Sequence, residues 1–396
     1  CRPAACPTRP MKVFDALVLG LGALGSAVLL QLARRGVRVL GLDRLAPPHT
    51  RGSSHGETRI TRCAVGEGEH YSPLALRSHV LWREIESETG ADLLTTQGVL
   101  VLSSPARTSF THVENFFANT VAAARKYHIA HEILVAEAIR RRFGQFRIRD
   151  DEIGYFEPGG GLLRPEVCLS AQLELARRHG AEIHVNERVL SFAPRRADVV
   201  VTTDRDTYVA GRLVVAAGAW LPELLDANLA RHFRIYRQAQ FWFADPAGLF
   251  GAGRFPVFIW ELSGRRQSIY GFPDIDGGGV KIATEQFAST TTADVPESEV
   301  GASESAAMHA TYVAPFLPQL SATCTRASTC LYTVTADFGF VVDQHPQSDR
   351  VILASCCSGH GFKHSPALGE AIAELIVNGR SQTDLGSFKL ARLSAH

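Results

Sequence analysis

The chain has no apolar run near the ~18–20 residues that a membrane-crossing helix needs, so no membrane partner is expected. Neither charge is in excess. Its 41 basic and 40 acidic residues leave a net charge of +1, which supplies no electrostatic footprint for nucleic acid and no charged tail. A cysteine framework is also missing. Eight cysteines in 396 residues, with no Cys-x-x-Cys pair and no Cys/His cluster at zinc spacing, exclude a disulfide scaffold and a metal site. The first ten residues lack the apolar core and cleavage site of a secretory signal. Residues 1–10 are expected to be a disordered extension ahead of Met11, and the cytoplasm is the expected compartment. There is no internal repeat and no low-complexity tract. What remains is an ordinary globular composition, 45% hydrophobic and 20% charged, at a length for one large domain or two.

Residues 13–43 carry the strongest positive signal. Val13 to Leu19 is a short apolar run that reads as a buried parallel strand. It leads into Gly20-Leu21-Gly22-Ala23-Leu24-Gly25, a helix-forming segment Ser26 to Arg35, the stop residue Gly36, and a second apolar run Val37 to Leu42 that ends in Asp43. Strand, G-x-G-x-x-G, helix, strand and acid, in that order, form the dinucleotide-binding fingerprint. Gly20 permits the tight turn, Gly22 lets backbone approach a pyrophosphate, and Gly25 lets helix and strand pack closely. The helix start offers free N–H groups to phosphates. Asp43, with Arg44 beside it, stands where a carboxylate would meet the adenosine ribose.

Helices are expected at Pro73 to Thr89, Phe110 to Lys126, Glu166 to His179, Ser303 to Val313 and Pro366 to Asn378, and a glycine-bearing loop at Gly154 to Gly161. Arg212 to Ala216 reads as a strand that ends in Ala217-Gly218-Ala219-Trp220, a small-residue turn suited to a cofactor. From 235 to 285, short strands suggest an antiparallel sheet with a half-buried face. The expected fold is α/β: a Rossmann-type cofactor domain with an inserted antiparallel-sheet substrate domain. Residues 11–92, 152–225 and 326–392 form the discontinuous cofactor domain, and 93–151 and 226–325 the substrate domain.

Four further features could carry chemistry. Ser358-Gly359-His360-Gly361-Phe362-Lys363 follows a buried strand at 351–355, and its glycines would let backbone approach a planar ligand. Arg59 and Arg62 could clamp a carboxylate bidentately, although an isolated R-x-x-R is more often a surface pair. Lys281 lies between Val280 and Ile282 and reads either as a solvent-facing strand residue or as a fixed cation in a dry site. Cys330 precedes Leu331-Tyr332-Thr333 and by itself reads as a small buried hydrophobe.

In combination these pieces resemble the sarcosine oxidase and N-methyltryptophan oxidase family, flavoenzymes of the glutathione-reductase-like, D-amino-acid-oxidase-like branch. The resemblance runs from Met11 to about Arg392. It rests on the fingerprint, Gly-Ser-Ser-His-Gly-Glu-Thr-Arg-Ile-Thr-Arg (52–62), Gly66-Glu67-Gly68-Glu69-His70-Tyr71, Tyr270-Gly271-Phe272-Pro273 with Lys281, Cys330 to Thr333, and Ser358 to Lys363. It implies FAD, joined covalently by a thioether at Cys330. Cofactor contacts would come from Ser53, His55, Thr58, Ala217, Gly218, Trp220, Gly359, Gly361, Phe362 and Lys363. Arg62 and Lys363 match the cations that hold the substrate carboxylate, and Arg59 matches an arginine against the flavin. Lys281 matches the dioxygen-activating lysine, and His360 the active-site histidine. Tyr270 and Tyr332 match ring-bearing residues near the substrate. The implied reaction is oxidation of a secondary amino acid by O2, releasing an imine and hydrogen peroxide, in a monomer that meets only a small amine and dioxygen. A dehydrogenase passing electrons to a carrier is the alternative within the fold, and a deglycating oxidase a third reading. Two departures stand out. Ser54 replaces the first of two adjacent histidines, leaving His55. Glu285 replaces the histidine four residues beyond the lysine, which disfavours plain sarcosine and suits a cationic or polyol-bearing amine.

Overall fold

A computed structural model of the chain describes residues 12–109, 111–294 and 299–395. The expected extension at 1–10 and the expected helix start at Phe110 lie outside the described residues. The fold is mixed α/β and is built on two large sheets and one small one.

The first sheet has eight strands, and its centre is parallel. Lys12–Leu19 pairs with Val39–Leu42 on one side and with Thr207–Val215 on the other; Glu182–His184 and Ser348–Ser355 extend the parallel set outward. Strands buried on both faces need continuous apolar runs, and Ala16 to Leu19 and Val39 to Leu42 supply them, all at 2% exposure or less where hydrophobic. The fingerprint helix runs Ala23–Arg34, three residues earlier than its sequence suggests, so Gly25 lies inside it. It is buried almost all round, between helices Pro165–Arg178 and Ser365–Asn378. Pro165 opens one of these flanking helices, and left-handed glycines at Gly90 and Gly379, both at φ 72°, close Ser72–Thr89 and Ser365–Asn378.

The second sheet has nine strands. Arg234–Phe243 lies between Cys324–Val334 and Val280–Thr284; Ile269–Phe272, Val257–Trp260, Val99–Ser103, Ile153–Glu157 and Glu132–Val135 follow in order. Every pair is antiparallel except Val257–Trp260 against Val99–Ser103. Ile153–Glu157 and Cys324–Val334 run in this sheet, although boundaries at 152 and 326 assign them to the cofactor domain.

Three local expectations change. Gly154 to Gly161 is not one loop but two strands, Ile153–Glu157 and Gly161–Leu163, joined by a tight turn. The helix expected from Phe110 begins at Phe116, so residues 111–115 are loop. The helix expected to Val313 ends at Met308 and relaxes into a wider π turn, His309–Val313. No described helix is long and apolar enough to cross a membrane.

Candidate active site

The glycine loop does what its spacing requires. Gly20 sits at φ 83°, and a Cβ there would lie 2.5 Å from the Ala216 carbonyl oxygen. A Cβ on Gly25 would fall 1.7 Å from the Gly20 carbonyl oxygen, so helix and turn touch only because both are glycine. Gly22 is the helix N-cap and offers no side chain; the Ser54 hydroxyl accepts the Ala23 amide at 3.2 Å in its place. Asp43 is buried, and its oxygens accept the Leu21 and Leu45 amides at 2.7 and 2.8 Å. Burial pushes its carboxyl up, against those two hydrogen bonds. Arg44 lies over the Trp220 ring at 5.0 Å and pairs with Asp294 at 3.2 Å.

From this end a single cleft runs to the Ser358–Lys363 turn, enclosing about 2110 Å³ with its open mouth. Its run from the fingerprint to that turn suits an extended dinucleotide. Gly20, Gly22, Asp43, Arg44, Ser53 and Thr58 line it near the fingerprint, with Ala217, Gly218 and Trp220. Arg59, Arg62, Tyr270, Lys281, Glu285 and Tyr332 line it further along, with Gly359, His360, Gly361, Phe362 and Lys363. Three expected residues do not line it. Gly25 is spent on helix packing. His55 is buried with Nε2 lacking a protein partner, and burial and the Arg59 charge lower its pKa to about 3, so its ring is neutral. Cys330 is wholly buried behind the wall and accepts a hydrogen bond from Gln240 Nε2 at 3.2 Å.

The residues present fit FAD. The glycine turn and uncapped helix start suit a pyrophosphate, Asp43 suits a ribose, and Thr58 Oγ1 is buried on the wall without a protein partner. Lys281 decides between its two readings: it is 2% exposed and turned inward. Its Nζ donates to the Gly56 and Thr58 carbonyls at 2.7 and 3.1 Å and sits 5.0 and 5.2 Å from the Phe272 and Trp242 rings. Burial, then the Arg59 guanidinium, pushes it well below the usual lysine range. Arg59 itself is fixed by donating to the Ser53 and Thr58 carbonyls, each at 2.8 Å.

At the other end the chamber is lined by buried polar side chains. Arg62 is 1% exposed; it donates to the Ala64 carbonyl and pairs with Glu67 at 2.7 Å. Lys363 donates to the His360 carbonyl at 2.9 Å and lies 3.6 Å from the same Glu67 carboxylate. Burial works against a charge on Glu67, yet Arg62 and Lys363 hold it well below the usual carboxylate range. Burial lowers Lys363 to about 8, with Glu67 opposing the shift. His360 is kept neutral by burial, and its ring stacks on Phe340 at 4.5 Å. Burial raises the phenols of Tyr270 and Tyr332.

Two residues of this chamber escape the sequence reading. Glu67 sits inside the 66–71 motif, where an acid between two glycines is the only signal. His112 falls in a stretch expected to be helical and carries no signal at all; it lines the cleft and binds Glu285.

A family model described as FAD dependent oxidoreductase matches residues 15–375. The chain is 39% identical over 387 residues to a monomeric sarcosine oxidase of Streptomyces avermitilis, covering 96% of this chain and 98% of that protein. It is 33% identical over 383 residues to an N-methyl-L-tryptophan oxidase of Yersinia pestis, covering 96% and 99%. Among solved structures, NikD, an unusual amino acid oxidase essential for nikkomycin biosynthesis, superposes with a TM-score of 0.82 at 26% identity, covering 96% of this chain and 97% of that one.

Proposed function

Because the chain belongs to the FAD dependent oxidoreductase family, within its sarcosine oxidase and N-methyltryptophan oxidase group, we propose that it is a flavin amine oxidase that oxidises a secondary, N-methyl or cyclic, amino acid at its C–N bond. Dioxygen is the final acceptor. The products are hydrogen peroxide and an imine that hydrolyses to aldehyde and amine. The protein acts as a monomer on a small substrate.

The observation that carries this reading is the pair of buried cations, Arg62 and Lys363, closed on one carboxylate inside the cleft. A site that holds the Glu67 carboxylate in this way has the charge and the N–H donors to hold a substrate carboxylate. Anchoring that group fixes the orientation of the neighbouring nitrogen and carbon. The same cations disfavour a second positive charge, so the amine is held neutral and its lone pair is free. FAD, when bound, supplies the two-electron acceptor and is reoxidised by dioxygen. Lys281, buried beside the Arg59 guanidinium and held toward its neutral amine, serves that second half. An anion arriving beside it draws a proton onto its amine and is stabilised by the resulting ammonium.

Attachment of the cofactor at Cys330 is part of the proposal. The thiol is buried against Gln240, beside side chains that face the cleft. Acid precipitation tests it: the yellow colour should stay with the wild-type chain and leave with the supernatant for Cys330→Ala. Anaerobic mixing with N-methyl and cyclic amino acids should bleach the wild-type protein. Colour that stays with Cys330→Ala removes the attachment site, and a protein that no secondary amino acid bleaches removes the activity.

A further inference from the structure

His112 and Glu285 take no part in the reaction proposed above, yet both line its chamber. Glu285 follows the strand Val280–Thr284, and its Oε1 lies 3.3 Å from where a Cβ on Gly359 would stand. His112 Nδ1 meets both carboxylate oxygens, at 2.9 and 3.1 Å, so Nδ1 is the donor. The ring stacks on His360, with centroids 5.3 Å apart and 15° between planes. Its side chain is 4% exposed, and Nε2 is buried without a partner in the protein. Burial opposes a charge on this imidazole, but Glu285 outweighs it and raises the pKa. The couple therefore presents a buried, unpaired Nε2, a donor in the charged ring and an acceptor in the neutral one, beside the remaining lone pairs of a carboxylate.

Charge narrows what such a couple accepts. Glu285 is already balanced by His112, so a substrate cation would compete with the imidazole for it. A second carboxylate would face Glu285 itself. An alkyl group would leave Nε2 buried and unpaired, the situation in which polar sites reject apolar analogues. Two adjacent hydroxyls satisfy both partners: one hydroxyl, able to donate or accept, meets Nε2, and the neighbouring O–H donates to Glu285.

We propose that the His112–Glu285 couple selects secondary amino acids whose nitrogen carries a substituent with adjacent hydroxyl groups, while Arg62 and Lys363 hold the carboxylate. This rests on the amine-oxidase reading and narrows its substrate class.

The test uses two non-oxidisable acids of nearly the same shape, S-(dihydroxypropyl)thioglycolate and S-propylthioglycolate, titrated calorimetrically into the holoenzyme. A hydrogen bond to a charged group is worth about tenfold or more in affinity, so the hydroxylated acid should bind the wild type at least about tenfold tighter. His112→Phe and Glu285→Gln should bring the ratio of the two dissociation constants close to one, and His112→Gln, which keeps an N–H donor, should retain part of it. Equal binding of the two acids by the wild type overturns the proposal, as does a ratio that survives in both variants. The corresponding N-(dihydroxypropyl)glycine, mixed anaerobically with the wild type, separates the two levels. Selective binding of the thioether without bleaching by the amine sinks the oxidase reading and leaves the selection standing; bleaching by N-propylglycine with no preference in binding does the reverse.

Discussion

Lys363 is an ammonium buried in the protein, and its charge depends on the carboxylate beside it. Burial favours the neutral amine, Glu67 favours the ammonium, and the balance leaves a pKa of about 8. Below that value the chamber holds two cations; above it Arg62 stands alone. A carboxylate ligand binds the protonated form better, so its affinity is constant below pH 8 and falls as the pH rises through it, by up to about tenfold per unit. Titration of S-propylthioglycolate between pH 6 and 10 should show that break, and Lys363→Met should bind more weakly at pH 7 with the break removed. A wild-type profile flat across this range contradicts the assignment. Arg62 and Lys363 were singled out only by the family resemblance, since an R-x-x-R and a glycine-rich turn by themselves read as solvated surface. His112 was not, because its partner is distant in the chain: His112 and Glu285 are 173 residues apart; Glu67 was not, because an acid five residues from Arg62 reads as a surface pair until burial closes both on one site. Lys281 was ambiguous for a related reason. Alternation along a strand leaves one face for solvent only if that face is open, and here the strand Val280–Thr284 is buried throughout.

Elements with period and stop signals of their own were read closely. The two fingerprint strands, their helix and the terminal helix all appear within a few residues of their expected limits, since continuous apolar runs and flanking glycines report burial directly. The glycine-rich stretch 154–161 was misread because glycine marks both loops and close backbone contact. A Cβ on Gly161 would lie 2.1 Å from the Thr95 carbonyl oxygen, so this glycine sits in a strand that is packed too tightly for a side chain. The same logic governs the helix pair beneath the cofactor end. Gly369 lies in Ser365–Asn378, where a Cβ would meet the Ala27 carbonyl carbon at 2.7 Å. Replacing a helical glycine by alanine ordinarily stabilises by up to ~1 kcal/mol. Forcing a methyl against backbone costs about 1–3 kcal/mol, and this contact is with backbone that cannot rotate away. Gly369→Ala should therefore be less stable than the wild type by about 1–2 kcal/mol in denaturant unfolding. A more stable variant would show that the two helices have room to separate.

At the scale of the whole molecule, the site exists only because distant segments converge, and that convergence buries titratable rings. His55, His79, His360 and His364 are all enclosed, and burial lowers every one of them, His55 to about 3 and His79 to about 4. His112 moves the other way, with Glu285 overcoming burial. In the unfolded chain all five titrate near ~6.5. The folded protein therefore binds fewer protons than the unfolded one between that value and the lowered ones, and stability falls with falling pH. Below ~6.5 each lowered ring contributes up to about 1.4 kcal/mol per pH unit, and His49, His70 and His345, lowered by burial as well, act in the same direction; His112, protonated in both states there, contributes nothing, so the fall is steep beside a net stability of ~5–15 kcal/mol. The unfolding temperature should fall by roughly 10 °C between pH 7 and pH 5. His79→Gln should flatten the slope by about one proton, because His79 hydrogen-bonds Thr61 at 2.7 Å and lines none of the cleft. An unfolding temperature unchanged between pH 7 and 5 would mean that these rings carry their protons in the fold, and the neutral His360 that faces the substrate chamber would have to be redrawn as a cation.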